Sequence, residues 1–484
     1  MKHRTILSIL LPAAVALTGL TGCTDSFTGD DARDALNNGK FVERYSTVKL
    51  PKKMRQTQLF DARVLDPASA ESGLSPAKGA VTAYGTLERY EELLTSTEFV
   101  VGLYDSLLSA TGTLERYQDE PGVRIKRAFK KNFVGFSMHV DEDQVPRILD
   151  MIDLDDDIEW IEPDARIKLA PAGKIKDLTA GQQLVSSLTY ADAHLSSTNP
   201  GDGTGSVDVD VYILDTGLDN PDLNIVERID FTEMGNDIDM TSTLERYSTL
   251  ERFATLERYE ASDVVGHGTH VAGIAAAVDD DDALVGAAPG AMLHDYKVLD
   301  DNGSGEMSGV IAALDVITAR KMLDPSTPVV VNLSFGADIG TTAFNALDES
   351  VQAAVNAGVV VVVAAGNDAI DASTVTPAHV PEAITVGALK SNTFESYSNY
   401  GPVLDLSAHG NAVKSLSTDY TKSVEMSGTS MAAPLVAGAA ALILSTNPSA
   451  TPDQVLEALL SNADSGALSL PPNTADKILS AKNF

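Results

Sequence analysis

The 484 residues contain a single cysteine, Cys23. No disulfide can form within the chain, and a catalytic thiol at that position, against an apolar N-terminal run, has no chemical setting. Basic residues are also scarce, with 35 Lys and Arg against 69 Asp and Glu and a formal net charge of −34. This imbalance argues against nucleic acid as a partner and for a soluble, acid-coated surface. Long apolar runs are missing beyond the N-terminus. The longest, within Ser427–Leu444 (SGTSMAAPLVAGAAALIL), is too short to span a bilayer. What remains is enough chain for two or three domains and a sizeable core.

The N-terminus has the build of an export signal. Lys2, His3 and Arg4 supply charge, Ile6 to Leu17 an apolar core, and Leu20-Thr21-Gly22-Cys23 a processing site. That last pattern resembles the bacterial lipobox. The resemblance implies cleavage before Cys23, lipid attachment there, and an exported, membrane-anchored lipoprotein, periplasmic or at the cell surface. Residues 1–22 are then the signal and 23–43 a polar tether.

Ser427–Leu444 predicts a buried helix with Ser430 in its first turn, where unpaired N–H groups and the helix dipole favour developing negative charge. Alone, the stretch also fits a core helix with a capping serine. Upstream, Asp208–Leu214 (DVDVYIL) reads as a buried strand that delivers Asp215 at its C-terminal end, where α/β folds place functional groups. Gly266-His267-Gly268-Thr269-His270 opens a predicted helix over Val271–Val278. Two histidines three apart lack the four-residue spacing of a zinc pair. His267 is therefore expected as a general base, with His270 packed behind it. A serine needs an imidazole to take its proton and a carboxylate to orient the ring, and the order Asp215, His267, Ser430 is that of the subtilisin type.

Six segments then fall in one order: DTG, GHGTHVAG, KVLDDNGSG, NLSFG, VVAAGN and SGTSMA. Together they resemble the subtilisin (subtilase) family of serine proteases, over roughly residues 206 to 460. The resemblance implies a serine endopeptidase acting on protein or peptide substrates. Asn367 matches the family's oxyanion-hole asparagine. Gly303, Ser304 and Gly305, with Ser334, Phe335 and Gly336, match the two edges that hold substrate as an added strand. Departures fall at Ala337, His409 and Leu435, outside the three catalytic positions.

The resemblance also implies structural calcium. The run after the histidine helix aligns without a gap with the subtilisin calcium loop. Asp222 and Asp280 are expected to give carboxylates, and Val278, Asp282 and Leu284 carbonyls. A second candidate combines Asp405 with the carbonyls of Ala378, Pro381 and Ala383.

Residues 44–169 predict a small α+β unit. Phe133–Val140 reads as a strand, Glu142–Ile152 as a helix and Asp157–Ile161 as a strand, with an earlier helix over Tyr90–Ala110. FVGFSMHV and IEWIEPDARI resemble the inhibitor-like propeptide of subtilases, which implies an intramolecular inhibitor and a self-processing zymogen. The motif Thr-Leu-Glu-Arg-Tyr occurs at residues 86–90 and 113–117 and, with variation, three times across 242–259. Its apolar residues spiral round a helix, so the copies read as insertions in tolerant loops.

The expected fold is α/β: a doubly wound parallel-sheet catalytic domain at 206–465, carrying the insertion 242–259. The α+β unit precedes it, a processing linker spans 170–205, and a tail covers 466–484. A rival reading is a catalytically silent peptide-binding lipoprotein on the same scaffold.

Overall fold

A computed structural model describes residues 96–104, 107–169, 176–178, 207–232, 262–279, 284–340 and 344–480. Cys23, the motif copies at 86–90 and 242–259, Asp280 and Asp282 lie outside these residues.

The first unit contains β1 (Glu98–Leu103), α1 (Leu107–Gln118), β2 (Val123–Phe129), β3 (Gly135–Val140), α2 (Val145–Leu154) and β4 (Ile158–Pro163). Its four strands form an antiparallel sheet in the order β2-β3-β1-β4. In α2, Val145, Ile148, Leu149 and Ile152 recur at helical spacing and are the residues it buries. They join Phe99, Val101, Phe136 and Met138 in one apolar cluster.

Two expectations need correction here. Tyr90–Ala110 is not one continuous helix, because α1 starts only at Leu107 and Glu98–Leu103 (EFVVGL) is the strand β1 within this sheet. Its aromatic and β-branched residues suit a pleated, buried surface. Gly102 is required in it, since a Cβ there would lie 2.2 Å from the Trp160 ring. Nor is the motif copy at 113–117 a loop insertion. It forms part of α1, with Leu114 and Tyr117 buried one helical turn apart. Its Arg116 reaches Asp155 at 3.2 Å and Asp157 at 2.8 Å, tying the helix to the turn before β4.

Two short strands follow, β5 (Arg166–Lys168) and β6 (Lys176–Leu178). The larger unit then runs through β7 (Asp210–Asp215), β8 (Ile225–Asp230), α3 (His267–Ala276), β9 (Met292–Lys297), β10 (Ser304–Glu306) and α4 (Met307–Leu323). After these come β11 (Val329–Leu333), β12 (Ala337–Asp338), α5 (Ala346–Asn356), β13 (Val360–Ala364), β14 (Val375–Thr376), β15 (Ile384–Lys390) and β16 (Thr393–Phe394). The series closes with β17 (Leu406–His409), β18 (Val413–Leu416), β19 (Ser423–Met426), α6 (Thr429–Thr446) and α7 (Pro452–Asn462).

The main sheet has the order β16-β15-β13-β11-β7-β9-β8, with β17 beside β15, and every pairing is parallel except that of β16. Both of its faces are covered. Val211, Ile213, Val330, Val360 and Val362 point into a core shared with α3 and α6. Their neighbours Tyr212, Leu214, Val331, Val361 and Val363 point into a second core shared with α4 and α5. Alternation along each strand thus feeds two cores, which is why VVVNL and VVVVA are apolar throughout. The α/β doubly wound fold is the one expected. Thr429–Thr446 is apolar enough for a membrane span but 89% buried, and it serves as the helix at the centre of the first core. Residues 464–480 return to the sheet, where Phe394 N–H bonds Leu468 O at 2.8 Å and Ser407 N–H bonds Lys477 O at 2.8 Å.

From β7 the chain goes out to β8 at the edge and returns to β9 between them, then crosses to β11, β13 and β15 on the other side. The switch point lies between the C-terminal ends of β7 and β11, where such sheets open a crevice.

Burial of the 113–117 copy is testable. Leu114→Ala should destabilise the first unit by about 2–5 kcal/mol, read as a lowered denaturation midpoint. Glu115→Ala, at an exposed position of the same motif, should stay within about 0.5 kcal/mol. Equal effects would contradict the packing described.

Candidate active site

Asp215 ends β7 and is buried, and His267 begins α3. His267 Nδ1 lies 2.8 Å from Asp215 Oδ1, which also accepts the Thr216 N–H at 2.8 Å. The close approach of α3 depends on Gly268, where a Cβ would lie 2.2 Å from Gly217 O.

A second carboxylate, not singled out in the sequence, fixes this helix start. Buried Asp263 accepts from Thr216 Oγ1 at 2.8 Å, Gly266 N at 2.7 Å and Thr269 N at 2.8 Å. The Thr216 hydroxyl in turn accepts the Gly268 N–H at 3.0 Å. An aspartate just before a helix that opens with glycine is the sequence signal that could have found it.

Burial is the strongest influence on the His267 ring and disfavours its charge. The Asp215 charge and hydrogen bond, with Asp263 adding, outweigh burial and hold the imidazole above its ordinary value. A histidine raised in this way lends stability that is full below its unfolded pKa and is lost as pH rises through the folded one. His270 behaves oppositely: burial and the neighbouring His267 charge push it down to about 3. It sits behind His267, its Nε2 facing Val413 O at 3.0 Å and Val424 O at 3.1 Å.

Ser430 is the second residue of α6 and is 2% exposed. Its hydroxyl donates to Ser334 O at 3.0 Å, and Ser334 Oγ donates back to Ser430 O at 3.0 Å. This reciprocal pair, which the sequence did not reveal, pins the start of α6 to the end of β11. Asn367, just past β13, accepts through Oδ1 from Thr429 N at 2.8 Å and Thr429 Oγ1 at 3.1 Å. That commits its carbonyl side, while Nδ2 is buried without a hydrogen-bond partner among the described residues. A donor left unspent beside a serine at a helix N-terminus can serve an anion formed there. The fold thus gathers Asp215 with His267, and Ser430 with Ser334 and Asn367. The helices that carry them, α3 with His267 and α6 with Ser430, pack against each other.

The expected substrate edges are occupied by the chain itself. β5 pairs antiparallel with β10, setting Lys168 opposite Ser304, Ile167 opposite Gly305 and Arg166 opposite Glu306. Leu169 N–H bonds Gly303 O at 3.0 Å, and Lys168 bridges to Gly336 on the other side. Phe335 is buried. Carboxylates of the first unit seat it on two helix starts. Asp164 accepts Ser308 N–H at 2.9 Å on α4, and Glu162 accepts Ala346 N–H at 2.7 Å on α5. In return, Asp315 of α4 accepts from Lys131 N at 2.6 Å and Asn132 N at 2.9 Å.

Of the calcium candidates, Asp222 and Val278 adjoin, with Val278 N–H bonding Asp222 O at 3.1 Å. Asp405 accepts Thr385 N–H at 2.9 Å, and burial raises its carboxyl to about 6. Ala378 O accepts the Thr385 hydroxyl at 2.7 Å. Among the described residues no three His, Cys, Asp or Glu side chains cluster as a metal site would require.

The subtilase family profile matches residues 154–480. The chain is 37% identical over 347 residues to an extracellular serine proteinase of Thermus sp. (strain Rt41A), covering 70% of this chain and 73% of that protein. It is 32% identical over 377 residues to alkaline serine exoprotease A of Vibrio alginolyticus, covering 76% of this chain and 62% of that one. A solved cold-adapted subtilisin-like serine proteinase aligns with a TM-score of 0.48 at 32% identity, over 60% of this chain and 97% of that one.

The electrostatics can be read directly by NMR of the labelled histidine rings. His267 should titrate above 6.5 and His270 should stay neutral down to about pH 3. Asp263→Asn should lower the His267 midpoint, since one of the charges holding it up is gone. An unchanged or raised midpoint would contradict the role given to Asp263.

Proposed function

The chain belongs to the subtilase family of serine endopeptidases, and we propose that Asp215, His267 and Ser430 are its catalytic triad. The observation that carries this reading is the buried Asp215–His267 bond at the sheet's switch point, its histidine on a helix that packs against the one whose first turn holds Ser430.

In this reading the Ser430 hydroxyl turns from Ser334 O toward His267 Nε2. As Ser430 Oγ attacks the substrate carbonyl, the imidazole takes its proton and Asp215 stabilises the imidazolium. The oxyanion receives hydrogen bonds from Asn367 Nδ2 and the Ser430 backbone N–H, each preorganised donor being worth about 2.7–4 kcal/mol. His267 returns the proton to the leaving amine, and an acyl-enzyme remains on Ser430. Water then attacks, His267 again accepting and returning a proton, and the carboxylate product leaves.

The protein is made as a zymogen, with the unit ending at Leu169 as its own inhibitor. Support comes from the backbone pairing of Arg166–Lys168 along Ser304–Glu306 and the contacts with Gly303 and Gly336, the edges that substrate would use. Maturation requires cleavage between Ala165 and Ser187, which frees those edges. Export agrees with the extracellular Thermus relative. Lipidation at Cys23 would hold the precursor at a membrane, and cleavage between Ala165 and Ser187 would release the enzyme from that anchor. The adjacency of Asp222 and Val278 supports calcium there, with Asp280, Asp282 and Leu284 completing the site as a brace for the loop after α3. The metal has no step in the reaction.

Ser430→Ala should abolish casein cleavage and leave the chain at its unprocessed length. Residual cleavage or unaided maturation would overturn the triad. EDTA should lower the melting temperature of the wild type, and added Ca2+ should restore it. An unchanged melting temperature would remove calcium from the account.

A further inference from the structure

Arg127 of β2 is 4% exposed, and the larger unit supplies every acceptor it uses. Its Nη1 donates to Glu306 Oε2 at 2.8 Å and Ser308 Oγ at 2.7 Å, and its Nη2 donates to Phe231 O at 2.9 Å. Lys126 binds the other oxygen of Glu306. Three acceptors of the larger unit therefore converge on one planar guanidinium, a match that a lysine ammonium would meet less well. Burial raises the Glu306 carboxyl, but Lys126 and Arg127 outweigh it and hold the group below its usual range, as an anion.

The position of Glu306 links this socket to substrate. It ends β10, the edge strand along which the chain's own β5 lies, and its Cα is directly opposite Arg166. Opposed residues of an antiparallel pair project on the same face. Arg166 is exposed, and Arg127, in its place, holds Glu306. Once the first unit departs, both Lys126 and Arg127 leave with it. An anionic carboxylate, a hydroxyl and a carbonyl then remain together at the cleft edge without the cations they faced.

We propose that in the mature enzyme Glu306, Ser308 Oγ and Phe231 O form a guanidinium-binding subsite. It selects substrates with arginine at the position opposite Glu306, three residues before the one whose N–H bonds Gly303 O. The inference rests on the endopeptidase reading above and adds to it a preference remote from the cut. The first unit satisfies the same socket through Arg127, so one set of acceptors serves the inhibitor before maturation and the substrate after it.

The test uses mature enzyme and internally quenched peptides with alanine throughout the region before the cut. Arg, Lys, Gln or Glu is moved through it one position at a time. One position should favour Arg over Gln by roughly five-fold or more in kcat/KM, carried mainly by KM, with Lys between them. The preference should shrink in about 1 M salt and disappear in Glu306→Gln. Wild-type enzyme that cleaves the alanine peptide but prefers Arg nowhere overturns the subsite alone, whether or not the variant folds. A preference that survives Glu306→Gln also overturns it. A mature protein inactive on the alanine peptide overturns both the subsite and the endopeptidase reading.

Discussion

The structure turns on one buried contact, the 2.8 Å hydrogen bond between Asp215 and His267. Burying a carboxylate and an imidazole is costly unless each is held by the other and by further donors. Those donors come from the fold. Thr216 N–H serves Asp215, while Asp263 gathers Thr216, Gly266 and Thr269 into one rigid helix start. The strands feeding this point are apolar on both faces because two helical layers cover the sheet. The polar chemistry is thereby confined to the strand ends, where the crossing between β7 and β11 leaves a crevice.

The edges of that crevice are covered by the chain itself. A strand edge is an unsatisfied row of N–H and C=O groups, and the chain closes it with its own residues 166–169. The first unit is held by charges that fit ends and edges. Asp164 and Glu162 meet two helix N-termini, Asp315 meets a turn of backbone N–H groups, and Arg127 meets Glu306. Such contacts are directional and water-competent, which suits the detachable inhibitor proposed for this unit. Apolar contact adds to them, since Val100, Phe129, Trp160 and Ile167 join the second core of the sheet.

Much of this was legible in the sequence. The runs VVVNL and VVVVA announced buried parallel strands, and Asp215, His267 and Ser430 each stood at the edge of a predicted element. Other features were hidden because they depend on distant partners. EFVVGL is too short to be told from a helical segment until its neighbours β3 and β4 appear on either side. The motif at 113–117 looked like an insertion because its apolar residues drift round a helix. Over a single turn, however, Leu114 and Tyr117 share a face and can be buried. The Ser334–Ser430 pair is a hydrogen-bond choice, which composition and periodicity do not encode.

The central claim is that Ser430 is a nucleophile activated by the Asp215–His267 pair and covered until the first unit leaves. Labelling with a fluorophosphonate probe, followed by peptide mapping, addresses it most directly. The account predicts a single adduct on Ser430 in the processed enzyme and little or none in the intact chain. An adduct on another residue, or a processed enzyme that hydrolyses peptides yet takes no label, would contradict it.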